Sequence, residues 1–215
     1  MARVGTPETD SAGTRRYRSE LRQQQAAATR RAVVEVAHQL FLTQGWAGTG
    51  MREVAAGAGV AIETVYSHFS SKRGLLRAVA DHAVVGDDEP VPLAGRADFL
   101  VMGRGRRADR IRAAARLLTA VQLRTAAVAK LLRQAAPTDD EIAAMLAATR
   151  ERQRVDIASA LELIVGRAPT DAERDGAWAL TSPELYLLLV DESGWTPEQY
   201  ETWITTTLER TIPRS

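Results

Sequence analysis

Apolar residues spaced three and four apart recur along this chain from end to end, while runs of alternating β-branched residues are nearly absent. That spacing follows the helical period of about 3.6 residues, so an all-α fold is expected. Val33, Val36, Ala37, Leu40 and Phe41 form one stripe over about residues 29–44, ending where Gly45 offers a left-handed exit. Thr49 or Gly50 can open a second helix containing Met51, Val54, Ala55 and Ala58 and closed by Gly59. A short third helix covers about 61–69. Ser70 and Ser71 can cap a fourth, whose stripe is Leu75, Leu76, Val79 and Val84.

The acidic, Pro-containing stretch from Gly86 to Pro92 cannot continue that helix and marks the expected domain boundary. Three regions follow: a flexible basic arm at 1–26, a small helical domain at 27–86 and a larger one at 87–215. In the larger region a short segment near 93–102 and the Gly103-Arg-Gly-Arg-Arg107 loop precede a long helix over about 108–136. Pro137 stops that helix and Thr138 can cap the next, over about 139–165, which ends at Gly166. Thr170, Ser182-Pro183-Glu184 and Thr196-Pro197-Glu198 each read as a helix start, the last helix reaching about residue 211.

Charge divides along the same boundary. Residues 1–85 carry 11 Lys and Arg against 7 Asp and Glu, a net charge of +4, whereas 86–215 carry 17 against 20, a net charge of −3. A basic first third suggests that this end meets a polyanion. The chain has no cysteine, which excludes a thiol nucleophile, a thiolate metal site and disulfides. No stretch approaches the roughly 18 apolar residues of a membrane helix, and residues 1–25 lack the apolar core of a secretory signal, so the expected location is the cytoplasm.

Residues 51–69, within a motif spanning about 50–69, have the spacing of a helix-turn-helix. Ala55 is small enough for two helices to approach, Gly59 supplies a tight turn, and Val60 with Val65 fills the angle between the helices. The exposed face of the third helix would then hold Ala61, Ile62, Thr64, Tyr66, Ser67 and His68, and such a helix fits the DNA major groove.

The segment from Thr29 to about Ala83 resembles the TetR-type family of transcriptional regulators. The residues that carry the likeness are Leu40-Phe41 with Gly45-Trp46, Thr49, Glu53-Val54-Ala55, Ala58-Gly59-Val60, Thr64-Val65-Tyr66 with His68-Phe69, Ser71-Lys72 and Leu75-Leu76. The resemblance implies a ligand-responsive repressor: a homodimer with an N-terminal DNA-binding domain and a C-terminal domain that dimerises and binds a small-molecule effector. Carried over by position, Thr49, Gly50 at the start of the second helix, Tyr66, His68 and Lys72 are expected to touch phosphates. Ile62, Glu63, Thr64 and Ser67 are expected to face bases, with Ala61 at the mouth of the same helix. The chain departs from the family at Ala61-Ile62-Glu63, where members often carry a Ser or Thr cap and then a basic residue. Glu63 can accept from a cytosine amino group or can simply face solvent or an Arg. The departure keeps an alternative open, a helical small-molecule-sequestering module with a weakened reading head.

The arginines at 15, 16, 18, 22, 30 and 31 can follow the minor groove or form an incidental charged tail. His38, His68 and His82 are too scattered for a metal triad, and neither a P-loop nor a nucleophile motif is present, so no metal, cofactor or enzymatic activity is expected. Met102, Leu117, Leu118, Val121, Met145, Trp178 and Leu185, apolar at helical spacing, read as core in preference to pocket lining; a ligand pocket between helices stays open, with its residues unassigned. Tyr186, Leu189, Tyr200, Trp203, Ile204 and Leu208 exceed what one small core needs, and the resemblance implies a two-fold dimer interface there.

Overall fold

The computed structural model describes residues 11–87 and 91–213, with side chains from residue 21 onward. Among the described residues there is no strand, which bears out the all-α reading. The helices are α1 (Ser11–Gly48), α2 (Met51–Gly57), α3 (Ile62–Phe69), α4 (Lys72–Val85), α5 (Ala97–Leu100), α6 (Arg107–Ala135), α7 (Asp140–Val165), α8 (Asp171–Leu180), α9 (Pro183–Leu187) and α10 (Pro197–Thr211). A wider π turn, Leu188–Glu192, continues α9.

Three details differ from the sequence reading. First, α1 begins at Ser11 rather than near Thr29, because residues 14–44 contain neither Gly nor Pro and are rich in Ala, Gln, Arg and Leu, which are strong helix formers. Residues 11–26, expected as a flexible arm, therefore extend α1; residues 1–10 and the side chains of Arg15, Arg16 and Arg18 lie outside the described residues. The helical geometry breaks at Gly45, where φ is 73°. Second, Asp139 rather than Thr138 caps α7, accepting from the N–H groups of Glu141 at 3.1 Å and Ile142 at 3.2 Å. A carboxylate there also meets the positive end of the helix dipole. Thr138 instead donates back to the Ala135 carbonyl at 2.9 Å.

Third, the buried side chains form two clusters that do not divide at residue 86. The first joins α1–α4, through Val33, Phe41, Val54, Val65, Leu75 and Leu76, to Val128, Leu131, Leu132 and Ala135 of α6 and Ile142 and Met145 of α7. The second joins the other end of α6, through Ile111 and Ala115, to α5, α7, α8, α9 and α10. Helix α6 therefore runs through both cores. Polar ties reinforce this continuity: Arg124 of α6 donates to the carbonyls of Ala83 and Val84 at the end of α4, each at 3.1 Å. Arg73 of α4 binds both carboxylate oxygens of Asp139, at 3.0 and 2.9 Å, and reaches Glu141 at 3.2 Å.

Tyr186, Tyr200, Ile204 and Leu208, expected at a dimer surface, are interior: Tyr200 and Ile204 are fully buried and the other two nearly so. Tyr186 and Tyr200 pack edge to face with ring centroids 4.8 Å apart. The apolar stripe of α10 is spent on α6, against which it packs within the chain. Leu189 and Trp203 remain partly exposed.

Leu132, 1 % exposed, links α6 to the N-terminal helices. Leu132→Ala is expected to cost about 2–5 kcal/mol in urea unfolding, and a loss well under 1 kcal/mol would contradict this packing role. His38 gives a second expectation. Its Nε2 is buried without a hydrogen-bond partner, and burial first, then the charge of His82, hold its pKa below the ordinary 6.5. Below about pH 6.5 the unfolded chain takes up this proton more readily, so stability should fall as the solution is acidified, and His38→Gln should flatten that fall. An unchanged pH profile for the variant would exclude His38 as its source.

Candidate nucleic-acid interface

The exposed face of α3 is held out from a base that local sequence builds. After α2, the Val60 N–H donates to the Ala55 carbonyl at 3.0 Å and the Gly59 N–H to that of Ala56 at 3.2 Å, with Gly59 at φ 66°. This paired closure stops α2 and turns the chain sharply into α3, and it needs the left-handed conformation that glycine adopts without strain. Ala61 stands at the N-cap of α3 with no side-chain hydrogen bond, so the helix forms without the hydroxyl cap. Burial supplies the compensation: Val65 is fully buried and Phe69 nearly so, anchoring one face of α3 under α1 and α4.

On the outer face Ala61, Glu63, Tyr66 and Ser67 are exposed, and Ile62, Thr64 and His68 are half-buried. These seven residues thus share one short helix or its mouth, with Gly50, half-buried, at the start of α2. Tyr66 is 46 % exposed, its ring uncovered by the fold. Ser67 donates to the Thr64 carbonyl at 2.8 Å. Glu63 has neither an ion pair nor a hydrogen bond from its side chain among the described residues, so the pairing with an Arg does not occur and its carboxylate faces outward.

Two residues expected at phosphates also bond within the chain. Thr49 is 3 % exposed and its hydroxyl donates to the Gly45 carbonyl at 2.9 Å, which fixes the bend between α1 and α2. The ammonium of Lys72 donates to the Trp46 carbonyl and lies 4.3 Å from the centre of the Trp46 ring. Desolvation lowers its pKa, an effect that the carboxylate of Glu53 opposes. An ammonium has three donors, so Lys72 keeps further hydrogen-bonding capacity beside Trp46. Two arginines outside the sequence expectation or at its margin stand at this surface. Arg52, exposed in the first turn of α2, was legible as a cation at a helix start. Arg30 of α1 lies over the Phe69 ring at 5.1 Å, a placement that only the tertiary fold reveals.

The turn from α3 to α4 is tight. Ser70 has φ 60°, and the Ser71 N–H donates to the Phe69 carbonyl at 2.6 Å. Ser71 caps α4 by accepting from the Gly74 N–H at 3.0 Å. At Gly74 a β-carbon would lie 2.1 Å from the Phe69 carbonyl oxygen, so only glycine fits there.

A cavity of about 160 Å³ lies away from this surface, between α6, α7 and α8. Met102, Leu117, Leu118, Val121 and Trp178 line it, together with Val84 of α4; Met102 is at the same time part of the second buried cluster, with Leu117 and Leu118 packed against it. Met145 does belong to a core, the N-terminal one. Among the described residues no group of three His, Asp or Glu is placed to hold a metal, and no helix is long and apolar enough to cross a membrane.

Residues 33–79 match the family profile of bacterial regulatory proteins, tetR family. No curated protein matches the chain in sequence. Among solved structures, a Rhodococcus sp. protein described as a TetR-family transcriptional regulator superposes with a TM-score of 0.65 at 19 % identity, covering 86 % of this chain and 98 % of that one. A protein of Mesorhizobium loti with the same description gives 0.61 at 17 % identity, covering 87 % and 96 %. AibR, solved in complex with isovaleryl coenzyme A and operator DNA, gives 0.58 at 21 % identity, covering 87 % and 100 %. At these identities the likeness is one of fold.

Ser70 at positive φ stores strain of roughly 1–3 kcal/mol. Ser70→Gly relieves it while adding freedom to the unfolded chain, so a net gain of about 1 kcal/mol is expected in urea unfolding. A lower unfolding midpoint would show that Ser70 is unstrained.

Proposed function

We propose that this chain, whose residues 33–79 match the profile of bacterial regulatory proteins of the tetR family, is a transcriptional repressor that binds a near-palindromic operator as a homodimer and is released by a small molecule. The observation that carries this reading is α3: one face anchored by Val65 and Phe69, and the opposite face presenting Glu63, Tyr66 and Ser67 exposed, with Ile62 and Thr64 half-buried at its edge. A rigidly held helix with a free face can enter a major groove, where its side chains reach base edges. Tyr66 and His68 touch phosphate, joined by Lys72, Arg52 and the backbone N–H groups at the start of α2. Ile62, Glu63, Thr64 and Ser67 read bases, Glu63 by accepting from a cytosine amino group. The missing cap at Ala61 does not favour the sequestering alternative, since α3 is formed and anchored without it.

Dimerisation uses the outward faces of the last helices. Leu188 is 50 % exposed, and Leu189 and Trp203 are partly so, whereas the interior residues of the same helices hold the protomer together. A two-fold pairing there places two α3 helices one DNA turn apart, about 34–36 Å. The effector site is the cavity. It touches α4 at Val84, whose carbonyl is also gripped by Arg124 of α6, so a molecule entering between α6 and α7 bears on the helix that carries the reading head. Release requires the effector to favour the spread arrangement by a few kcal/mol. The fold accommodates both kinds of partner in AibR, whose structure holds isovaleryl coenzyme A and operator DNA. The cytoplasm is the compartment where such a protein meets DNA.

The test is binding of the purified protein to the DNA upstream of its own gene and to a shuffled duplex across a salt series. Selective binding is expected, with affinity falling steeply with salt. Tyr66→Phe should weaken binding to both duplexes alike. Glu63→Gln should relax preference at a single base pair by about 1–3 kcal/mol. Equal, weak binding to every tested duplex, unaffected by either substitution, would contradict the reading.

A further inference from the structure

The lining of the cavity is asymmetric in chemistry, and the asymmetry specifies its ligand. Most of the wall is apolar, from Leu117, Leu118, Ile157, Leu161 and Trp178. Its polar residues include Gln122, Thr125, Gln153, Asp156 and Ser182, and two acceptors among them, Gln122 Oε1 and the Asp156 carboxylate, lack a donor among the described residues. Gln122 is 3 % exposed; its Nε2 donates to the Thr181 carbonyl at 2.6 Å, which fixes the orientation of the amide and leaves Oε1 buried with no partner. Thr125 cannot supply the missing donor, because its hydroxyl already donates to the Val121 carbonyl at 2.9 Å. Asp156 is the one charged residue in the lining, and no Lys, Arg or His lines the cavity. Its carboxylate has no hydrogen bond and no contact ion pair among the described residues; Arg152, on the same helix, is directed to Asp81 at 3.5 Å.

A buried acceptor without a donor forfeits its hydration uncompensated, and an unpaired carboxylate beside an apolar space does so at greater cost. A ligand that donates hydrogen bonds and carries positive charge relieves both. An anionic ligand meets no cation here and adds a second negative charge. We infer that the cavity binds a small lipophilic amine in its protonated form, its apolar body against α6, α7 and α8, its N–H groups donated to Gln122 Oε1 and its charge balanced by Asp156. The desolvation that raises the Asp156 pKa, partly offset by Arg152, is the same penalty that a bound cation removes. Arg154 does not occupy this role. It stacks 4.9 Å over the Trp178 ring and pairs with Asp175 at 2.7 Å, outside the lining. The space suits a single ring with a short chain, since a cavity of about 150 Å³ accepts benzene. This assignment rests on the reading of the cavity as the effector site.

Three probes of matched shape separate the possibilities: 3-phenylpropylamine, 3-phenylpropanol and 3-phenylpropanoate, each titrated calorimetrically into the full chain without DNA. The amine is expected to bind about 10-fold or more tightly than the alcohol, and the acid most weakly. Asp156→Asn, at a half-buried position that tolerates the isosteric amide, should remove that preference, and Ala160→Leu, which fills the cavity, should weaken all three. An acid that binds as well as the amine, no binding of the amine, or an unchanged preference in Asp156→Asn would overturn the assignment. Operator release is read separately, by adding the amine to the protein–DNA complex. Amine binding that depends on Asp156 but leaves the complex intact upholds the ligand class and overturns only the regulatory reading.

Discussion

Helix α6 is the constraint on which the rest of this structure depends. Its C-terminal half contributes Val128, Leu131, Leu132 and Ala135 to the core of the first four helices, and its N-terminal half contributes Ile111 and Ala115 to the core of the last ones. Neither core is complete without it. Between the two halves lie Leu117, Leu118, Val121 and Gln122, which face the cavity, and Arg124, which holds the end of α4. Packed interiors transmit displacement because they have little free space to absorb it. A helix shared in this way is the route by which, in the proposed mechanism, occupancy of the cavity biases the placement of α3.

The parts of this architecture written in local sequence were the legible ones. Gly45 and Gly59 adopt positive φ where the helix-period stripes run out, Ser71 caps α4, and Val65 faces inward as its place in the motif predicts. Each depends on residues within a turn or two of chain. Thr49 and Lys72 make contacts that the motif does not state: the Thr49 hydroxyl donates to the Gly45 carbonyl one turn back, and Lys72 meets Trp46 only once α4 has folded back. Tyr200 and Ile204 show a deeper limit. An amphipathic stripe states that one face is apolar, not whether that face meets the same chain or a second copy.

The cavity was illegible for a related reason. Leu118 or Trp178 at helical spacing has the same character whether its neighbour is another side chain or empty space. What distinguishes a wall from a core is a polar group where packing would place an apolar one. Gln122 within the buried face of α6 and Asp156 beside Ile157 on α7 are such exceptions. Local departures from consistency gather where a protein gives up stability for function, and these two residues do so facing the same space. Ala61 is the opposite case: a missing cap offset by anchoring at Val65 and Phe69.

The central claim is that two reading heads are held at a spacing set by what occupies the cavity. The chain contains no cysteine, so Ala56→Cys, on the exposed side of α2, carries a single spin label in each protomer. Pulsed electron-spin distance measurement on the labelled protein should give one narrow head-to-head distance with operator DNA bound. On adding 3-phenylpropylamine, that distance should shift to longer values as DNA is released. An identical distance distribution with and without the cavity filled, or the absence of any inter-head distance, would contradict the account.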